Sequence, residues 1–439
     1  MRKRKRTTKT TIAPRKGGPG WRYAVLLGAI LCAAVVMRIG WLAYVRPIPV
    51  SDFAAYDLLA RSLSRGLGYC WEAGAPTAMY PPGYPFTLSL IYRAFGPSWD
   101  AAKGVNVAFD LATIALTYAL GALLFSRLVG LLAALALAVW PSHWAYCGLL
   151  ASETEFTLLL MLLLVLAFIA ARKGAPTWGW AVALGVLLGL TSLVRGQGLL
   201  LFLPIGAFWA LRWPGQWKAA ALRAGTVFAI CLLVIAPWTL RNRLVLGSAV
   251  LISSGAYQNL WTGANAGTTG TWMPPPPLPG MSPLERDREM GRLAISYIVN
   301  HPLRYAGYAW PKLKALIGSD YQAWNWSVAS LERPVPLAVA ARNGLICDYY
   351  RVVLALAAAG GLLAICMLRV TTSASLPLLI LGYWAGVHMV FIGVDRYHFP
   401  VTPLLALLAA LALAAPFQWK QWFRRERPEA AAAARGQVP

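Results

Sequence analysis

Apolar residues fall along this chain in long blocks rather than in strict alternation. Blocks of near-spanning length lie at about 22–44, 102–125, 128–146, 152–171, 178–194, 198–212, 220–238, 351–369, 375–393 and 399–416. A helix needs roughly 20 mostly apolar residues to cross a bilayer. Only helices and closed barrels satisfy their backbone groups there. The pattern therefore predicts an all-α polytopic membrane protein with about ten crossings. A further apolar stretch, 82–97, follows Pro81 and contains Arg93. It reads as an interfacial helix, with an eleventh crossing as the alternative.

Basic residues decide between those counts. With ten crossings, Arg127, Arg172-Lys173, Arg212, Lys218, Arg223 and Arg369 fall in short connections on the same side as the run Arg2-Lys3-Arg4-Lys5-Arg6. The terminal residues Lys420, Arg424, Arg425 and Arg427 join them. That satisfies the positive-inside rule with both termini cytoplasmic; an eleventh crossing at 82–97 breaks it. The run from Tyr23 to Tyr44 is too long for a signal-peptide core, so it reads as an uncleaved first span. The expected organisation is a cytoplasmic tail 1–21, a transmembrane domain 22–416 with large outer loops 45–101 and 239–350, and a cytoplasmic tail 417–439. The second outer loop holds the stiff strip Pro274–Pro277 and an amphipathic helix near 284–299.

Composition agrees. The 439 residues are 58% hydrophobic and only 13% charged, against roughly 25% charged in soluble domains. The net charge of +24 sits mainly in the tails and connections, so it does not argue for nucleic acid. The six cysteines form no CxxC pair and no metal-ligand spacing. Walker A, G-x-G-x-x-G, H-E-x-x-H and D-x-D motifs are all missing. Every acid except Glu426 and Glu429 lies outside the cytoplasmic tails, in outer loops or spans. Carboxylate chemistry, if there is any, belongs on the outer face; short cytoplasmic loops also simply have little room for acids.

Five polar segments stand out. Ser51-Asp52 opens a predicted short helix running to Arg65, with Gly66 beyond its end. Asp52 is either the helix cap or a carboxylate held at the membrane surface as a base; Tyr56 lies one turn on. Ser152-Glu153 starts a very apolar helix, where a carboxylate is costly unless paired or functional. Arg195 stands between two spans on the outer side, against the charge trend. Its fork suits a phosphate, and snorkelling to headgroups is the alternative. Pro237–Asn242, with Arg241 and Asn242, precedes a cluster containing Asn259, Trp261 and Asn265. Amides and aromatic faces suit a sugar, although turns and an interfacial Trp belt use the same residues. Asp395-Arg396 opens the last span and reads as an ion pair at its mouth. His398 beside it reads as a structural residue rather than a metal ligand.

In this order, the segments resemble the GT-C superfamily of membrane glycosyltransferases. They are most similar to the bacterial family 39-like enzymes, relatives of protein O-mannosyltransferases and the lipid A aminoarabinose transferase. The resemblance rests on Asp52-x3-Tyr56-x3-Ala60, Pro76-Thr77-Ala78 with Pro81-Pro82-Gly83-Tyr84-Pro85, Ser152-Glu153, Leu193-Val194-Arg195 with Gly198-Leu199-Leu200, Pro237–Asn242, Asn259-Leu260-Trp261-x-Gly263-x-Asn265 and Asp395–Pro400. It covers about 22–416. Gly196 departs from the Pro that many relatives carry after the Arg, and the sizeable soluble C-terminal domain that some relatives carry is not expected from this sequence.

The resemblance implies an inverting transferase in the cytoplasmic membrane. It would take one sugar from a polyprenyl-phosphate donor to a lipid, protein or polysaccharide acceptor at the outer face, with no nucleic acid partner. It implies Asp52 as general base, Glu153 as orienting group or second base, and Arg195 on the donor phosphate. Arg241 and Arg396 are further phosphate candidates. Tyr56, Asn242, Asn259, Asn265 and Asp395 complete the expected substrate-binding set. No cofactor is expected, and the scattered carboxylates favour metal independence over a divalent cation. A lipid-linked sugar transporter or a ligase moving a whole glycan is the competing reading.

Overall fold

The computed structural model describes residues 20–71, 74–329, 331, 346–368 and 372–423. The expected basic segment before Gly20, Arg369 and the tail beyond Phe423 lie outside the described residues. The described chain is helical, and its one extended pairing is an isolated bridge between Cys70 and Pro76.

Ten apolar blocks become helices. These are α1 (Gly20–Val45), α4 (Trp99–Leu124), α5 (Arg127–Ala138) with α6 (Pro141–Cys147), α7 (Glu153–Ala170), α8 (Trp178–Val194), α9 (Phe202–Arg212), α10 (Trp217–Leu246), α16 (Cys347–Met367), α17 (Ser375–Val390) and α18 (Thr402–Phe423). Among the described residues, 7 helices are individually long and apolar enough to cross a membrane, or up to 8 if the bent pair α5–α6 counts as one. Helices α8 and α9 are apolar but shorter. The protein is thus a multi-pass membrane protein.

The other helices lie between spans. Helices α2 (Asp52–Ser64) and α3 (Gly83–Phe95) come from the first large loop. Helices α11 (Ala256–Gly263), α12 (Pro283–Asn300), α13 (Pro302–Gly307), α14 (Ala309–Ile317) and α15 (Gln322–Ala329) come from the second. At 1.5 Å per residue, the 13 residues of α3 extend about 20 Å, short of a core of about 30 Å, as do the 11 residues of α9.

Close helix contact comes from small residues, as expected where lipid supplies no hydrophobic drive between helices. A Cβ on Gly185 of α8 would stand 2.6 Å from Ile230 Cβ of α10. The bend of 59° between α5 and α6 frees carbonyls in a water-poor interior. Arg38 of α1 takes them up, donating to Ala138 O at 2.8 Å and Leu137 O at 3.2 Å. Asp110 of α4 balances its charge, accepting from Arg38 Nε at 2.6 Å and meeting His143 Nδ1 at 2.5 Å. All three side chains are buried. Nothing in the linear pattern marked Arg38 or Asp110, because each sits singly within an apolar block.

The two large loops close over one end of the bundle. Arg241 at the end of α10 donates to Tyr69 O and Thr77 O, both at 2.8 Å, and Ser254 N donates to Ala78 O. Helices α2 and α3 are joined by Tyr92, whose hydroxyl donates to Asp57 Oδ1 at 2.5 Å. The start of α3 rests on the end of α8, since a Cβ on Gly83 would lie 2.7 Å from Val194 N. The second loop is clamped by Asp320, which accepts from Trp140 Nε1 at 2.6 Å and Ser142 Oγ at 2.8 Å and meets His398 Nε2 at 3.1 Å.

Candidate active site

At this closed end, four charged side chains from distant parts of the chain meet. Arg195 Nη1 pairs with Glu153 Oε1 at 2.7 Å. Arg396 spans both carboxylates: its Nη1 lies 2.8 Å from Asp52 Oδ2, and its Nη2 lies 3.1 Å from Glu153 Oε1. Tyr80 completes the set by donating its hydroxyl to Asp52 Oδ1 at 2.8 Å. Aromatic rings wall the guanidiniums: Trp326 lies 4.8 Å from Arg396, and Tyr397 lies within 6 Å of both arginines. Tyr56 packs edge-on against Tyr80 and Tyr84.

Local structure explains each placement. Glu153 is the first residue of α7, where a carboxylate suits the helix dipole. Arg195 follows the last residue of α8 in extended backbone, before the tight turn Gly196–Gly198. Arg396 lies in the short helical turn Asp395–Val401 that precedes α18. Asp52 starts α2, but the expected side-chain cap is not formed there. Ser51 makes no capping bond and carries a positive φ of 52°, a conformation uncommon outside glycine. The Asp52 carboxylate is spent instead on Arg396 and Tyr80, both stronger partners than a backbone N–H.

Exposure separates the two carboxylates. The Glu153 side chain is 0% exposed and Asp52 is 29% exposed. Asp52 can meet an incoming hydroxyl, whereas Glu153 faces the guanidiniums, with Oε2 buried and unpartnered. Burial pushes the Asp52 carboxyl up, but the Arg396 guanidinium and the bond from Tyr80 outweigh it, and the group ends below its ordinary value. Burial and the nearby carboxylates push the Tyr56 hydroxyl up to about 12. The same two causes, with Asp52 as the carboxylate, raise Tyr80 further. Both phenols therefore stay protonated, and Tyr80 remains a donor to Asp52.

The remaining expected residues take other places. Arg241 is committed to the two carbonyls of the first loop and to Asn242 Oδ1 at 3.0 Å. The buried Asn242 donates to Val250 O at 2.9 Å. Asn265 turns its own loop, donating to Trp261 O and accepting from Gly267 N, each at 2.8 Å. Asn259 lies half-buried on α11. Asp395 and Arg396 do not pair through their side chains as expected. Asp395 accepts the Arg396 backbone N–H at 2.8 Å and Ser319 Oγ at 3.1 Å, which leaves the guanidinium free to reach across. His398 is buried between Leu316 O and Asp320, in a structural role. Tyr80 and Trp326 were not anticipated. Tyr80 stands directly before the Pro81-Pro82 pair that marked the segment; Trp326 has no comparable signal. Among the described residues, no group of three or more His, Cys, Asp or Glu is disposed to hold a metal ion.

Comparison with known proteins adds three findings. Residues 79–240 match the family model described as dolichyl-phosphate-mannose-protein mannosyltransferase. That region contains Glu153 and Arg195 but not Asp52 or Arg396. No curated protein matches the chain by sequence. The fold resembles the archaeal oligosaccharyltransferase AglB from Archaeoglobus fulgidus, solved with an inhibitory peptide and a dolichol-phosphate, at 16% identity and a TM-score of 0.57. The match covers 95% of this chain but 52% of AglB, so the chain spans about half the length of that relative. The apo form of the same oligosaccharyltransferase gives a TM-score of 0.56 over the same shares, also at 16% identity. ArnT from Cupriavidus metallidurans bound to undecaprenyl phosphate is less similar, with a TM-score of 0.41 and 16% identity over 92% of this chain and 80% of ArnT. The chain is thus a multi-pass membrane protein with a GT-C-type fold.

Proposed function

We propose that the protein transfers a single sugar, with inversion, from a polyprenyl-phosphate donor to an envelope acceptor at the outer face of the cytoplasmic membrane. One observation carries this reading: Arg396 is shared between an accessible carboxylate, Asp52, and a buried one, Glu153. The basic connections holding Arg127, Arg172, Lys173, Arg212, Lys218 and Arg223 support the orientation. A dolichol-phosphate in AglB is a ligand of the proposed donor's chemical class.

The charges explain how such a site would work. Asp52 and Glu153 offset Arg195 and Arg396, so the resting set is neutral. A donor phosphodiester brings one negative charge and competes with Asp52 for Arg396. Once Arg396 turns to the phosphate, Asp52 loses the cation that depresses its basicity, while Tyr80 still holds its other oxygen. Asp52 then accepts the proton of the acceptor hydroxyl as that oxygen bonds to the anomeric carbon. The bond from carbon to phosphate oxygen breaks, and its electron pair leaves with the lipid phosphate. The phosphate gains its second negative charge as Asp52 is neutralised, so both arginines are free to stabilise it. Glu153 acts as a positioning residue that fixes the two guanidiniums. With this charge supplied by arginines, the reading needs no divalent cation.

The bend between α5 and α6 favours a second reading, transport of a lipid-linked sugar, because broken helices recur in transporters. Purified protein in lipid vesicles, given radiolabelled polyprenyl-phosphate sugars and envelope extract, separates the two. Labelled sugar bonded to an acceptor, with polyprenyl phosphate released, supports transfer. Donor that crosses the bilayer intact, with no transfer, overturns it in favour of transport.

A further inference from the structure

We infer that α12–α14 form a membrane-surface platform that lies on the headgroup layer beside the bundle and engages anionic phospholipids. The segment belongs to no span, yet it carries large exposed apolar side chains: Ile295 at 51%, Val299 at 71%, Leu303 at 88% and Trp310 at 60%. Ile295 and Val299 are one turn apart on α12, and Leu303 and Trp310 are exposed on α13 and α14, the two helices that follow it directly. Exposed apolar side chains gathered in this way mark a binding surface.

Two observations identify lipid as the occupant. The first is charge. From Met290 to Ser319 the sequence contains no Asp or Glu, but it contains Arg292, Arg304, Lys312 and Lys314. Arg292 is taken up by Glu289, and Lys312 is buried. Arg304 and Lys314 are exposed, and no carboxylate among the described residues pairs with them. Lys314 Nζ lies 5.3 Å from the Trp310 ring centroid, a cation and an amphipathic ring together at the level where headgroups sit. An anionic surface attracts such exposed basic residues.

The second observation is depth. Tyr305 donates its hydroxyl to Val390 O at 2.7 Å, and Lys312 Nζ donates to the same oxygen at 2.9 Å. Val390 is the last residue of the membrane-crossing α17. The platform is thus tied to the point where a span leaves the apolar core, and its exposed residues lie beside the interface rather than out in solution. Val390 also precedes Arg396 by only six residues. Seating the platform on headgroups therefore fixes the depth of the turn that carries Arg396, and a lipid-linked phosphate would meet it at its own level.

The test uses the full chain in nanodiscs holding one copy each. They contain phosphatidylcholine alone or phosphatidylcholine mixed with phosphatidylglycerol. Exposed Cys32 and Cys366 are replaced by Ala, and a spin label is placed at Val299, at Leu303 or, as a solvent control, at Arg286. The labels at 299 and 303 are expected to be accessible to oxygen and shielded from a water-soluble nickel chelate, with the control label open to nickel. Shielding should deepen with phosphatidylglycerol and lose that dependence in R304Q/K314Q. Labels at 299 and 303 as open to nickel as the control would overturn the inference. So would shielding that appears only when two copies share a disc, which would assign the patch to self-association. The readout needs no turnover, so it stands or falls separately from the proposed transferase activity.

Discussion

Replacing Asp52 with Asn is the sharpest perturbation of the proposed site, because it removes one charge and almost no volume. The amide oxygen can still accept from Tyr80 at the position Oδ1 now holds, 2.8 Å away, so the start of α2 should stay in place. The ability to take a proton is lost. General base catalysis contributes about 10²- to 10⁴-fold, which is about 2.7–5.4 kcal/mol of barrier at 1.36 kcal/mol per decade. The expected result is a fall in kcat of at least about 100-fold, with the protein still monodisperse and thermally stable. The same change takes the four-residue set from neutral to a net positive charge and releases Arg396 Nη1 from its 2.8 Å contact. Binding of polyprenyl phosphate should therefore tighten several-fold while turnover falls. In the wild type, Asp52 titrates below its ordinary value. The active carboxylate form, and the ion pair with Arg396, are therefore present across neutral pH and are lost only as pH falls through that depressed value. The acid limb of the rate profile should lie below about pH 4 in the free enzyme. Radiolabelled sugar transfer and equilibrium binding on the same preparations measure both effects. Turnover by the Asn variant within about threefold of wild type, far short of a base's contribution, would remove Asp52 from the chemistry. Unchanged or weaker lipid-phosphate binding would refute the competition for Arg396.

Three further outcomes follow from the geometry. Arg396→Lys should lower kcat by about 10²-fold, because one ammonium cannot reproduce a fork that meets Asp52 and Glu153 together; kcat and KM measured separately, with fold checked by gel filtration, test it. Asp110→Leu leaves Arg38 buried at 0% exposure without its counter-charge, and should cost about 3–5 kcal/mol, read as a large drop in thermal midpoint in lipid. Asp287 is raised by burial to about 6, so it contributes to stability below its ordinary value, and that contribution is lost as pH rises through about 6. Asp287→Asn should keep an oxygen for Gln258 N–H, now bonded at 3.0 Å, and should flatten the pH dependence of protease resistance in α11–α12 between about pH 4 and 6, from the ordinary value of the carboxyl to its raised one.

Much of this architecture was legible in the chain alone, for physical reasons. A bilayer tolerates only helices and closed barrels, so the long apolar blocks announced a multi-pass bundle of helices before any packing was known. A charge at the edge of an apolar helix is expensive, so Asp52, Glu153, Arg195 and Arg396 stood out against their surroundings. Partnership was not legible. Arg396 lies 344 residues from Asp52, and its adjacency to Asp395 suggested the wrong pair. Only the folded turn sends the backbone N–H to Asp395 and the guanidinium to the distant carboxylates. Arg241 and Asn242 looked equally suited to a substrate, but the tertiary structure spends them on backbone carbonyls of the closing loops. Arg38 and Asp110 were invisible because a buried ion pair requires two helices to be brought side by side, and neither residue carries that information by itself. Local chemistry thus determined which residues were costly where they stand, and the fold alone decided which of them offset one another.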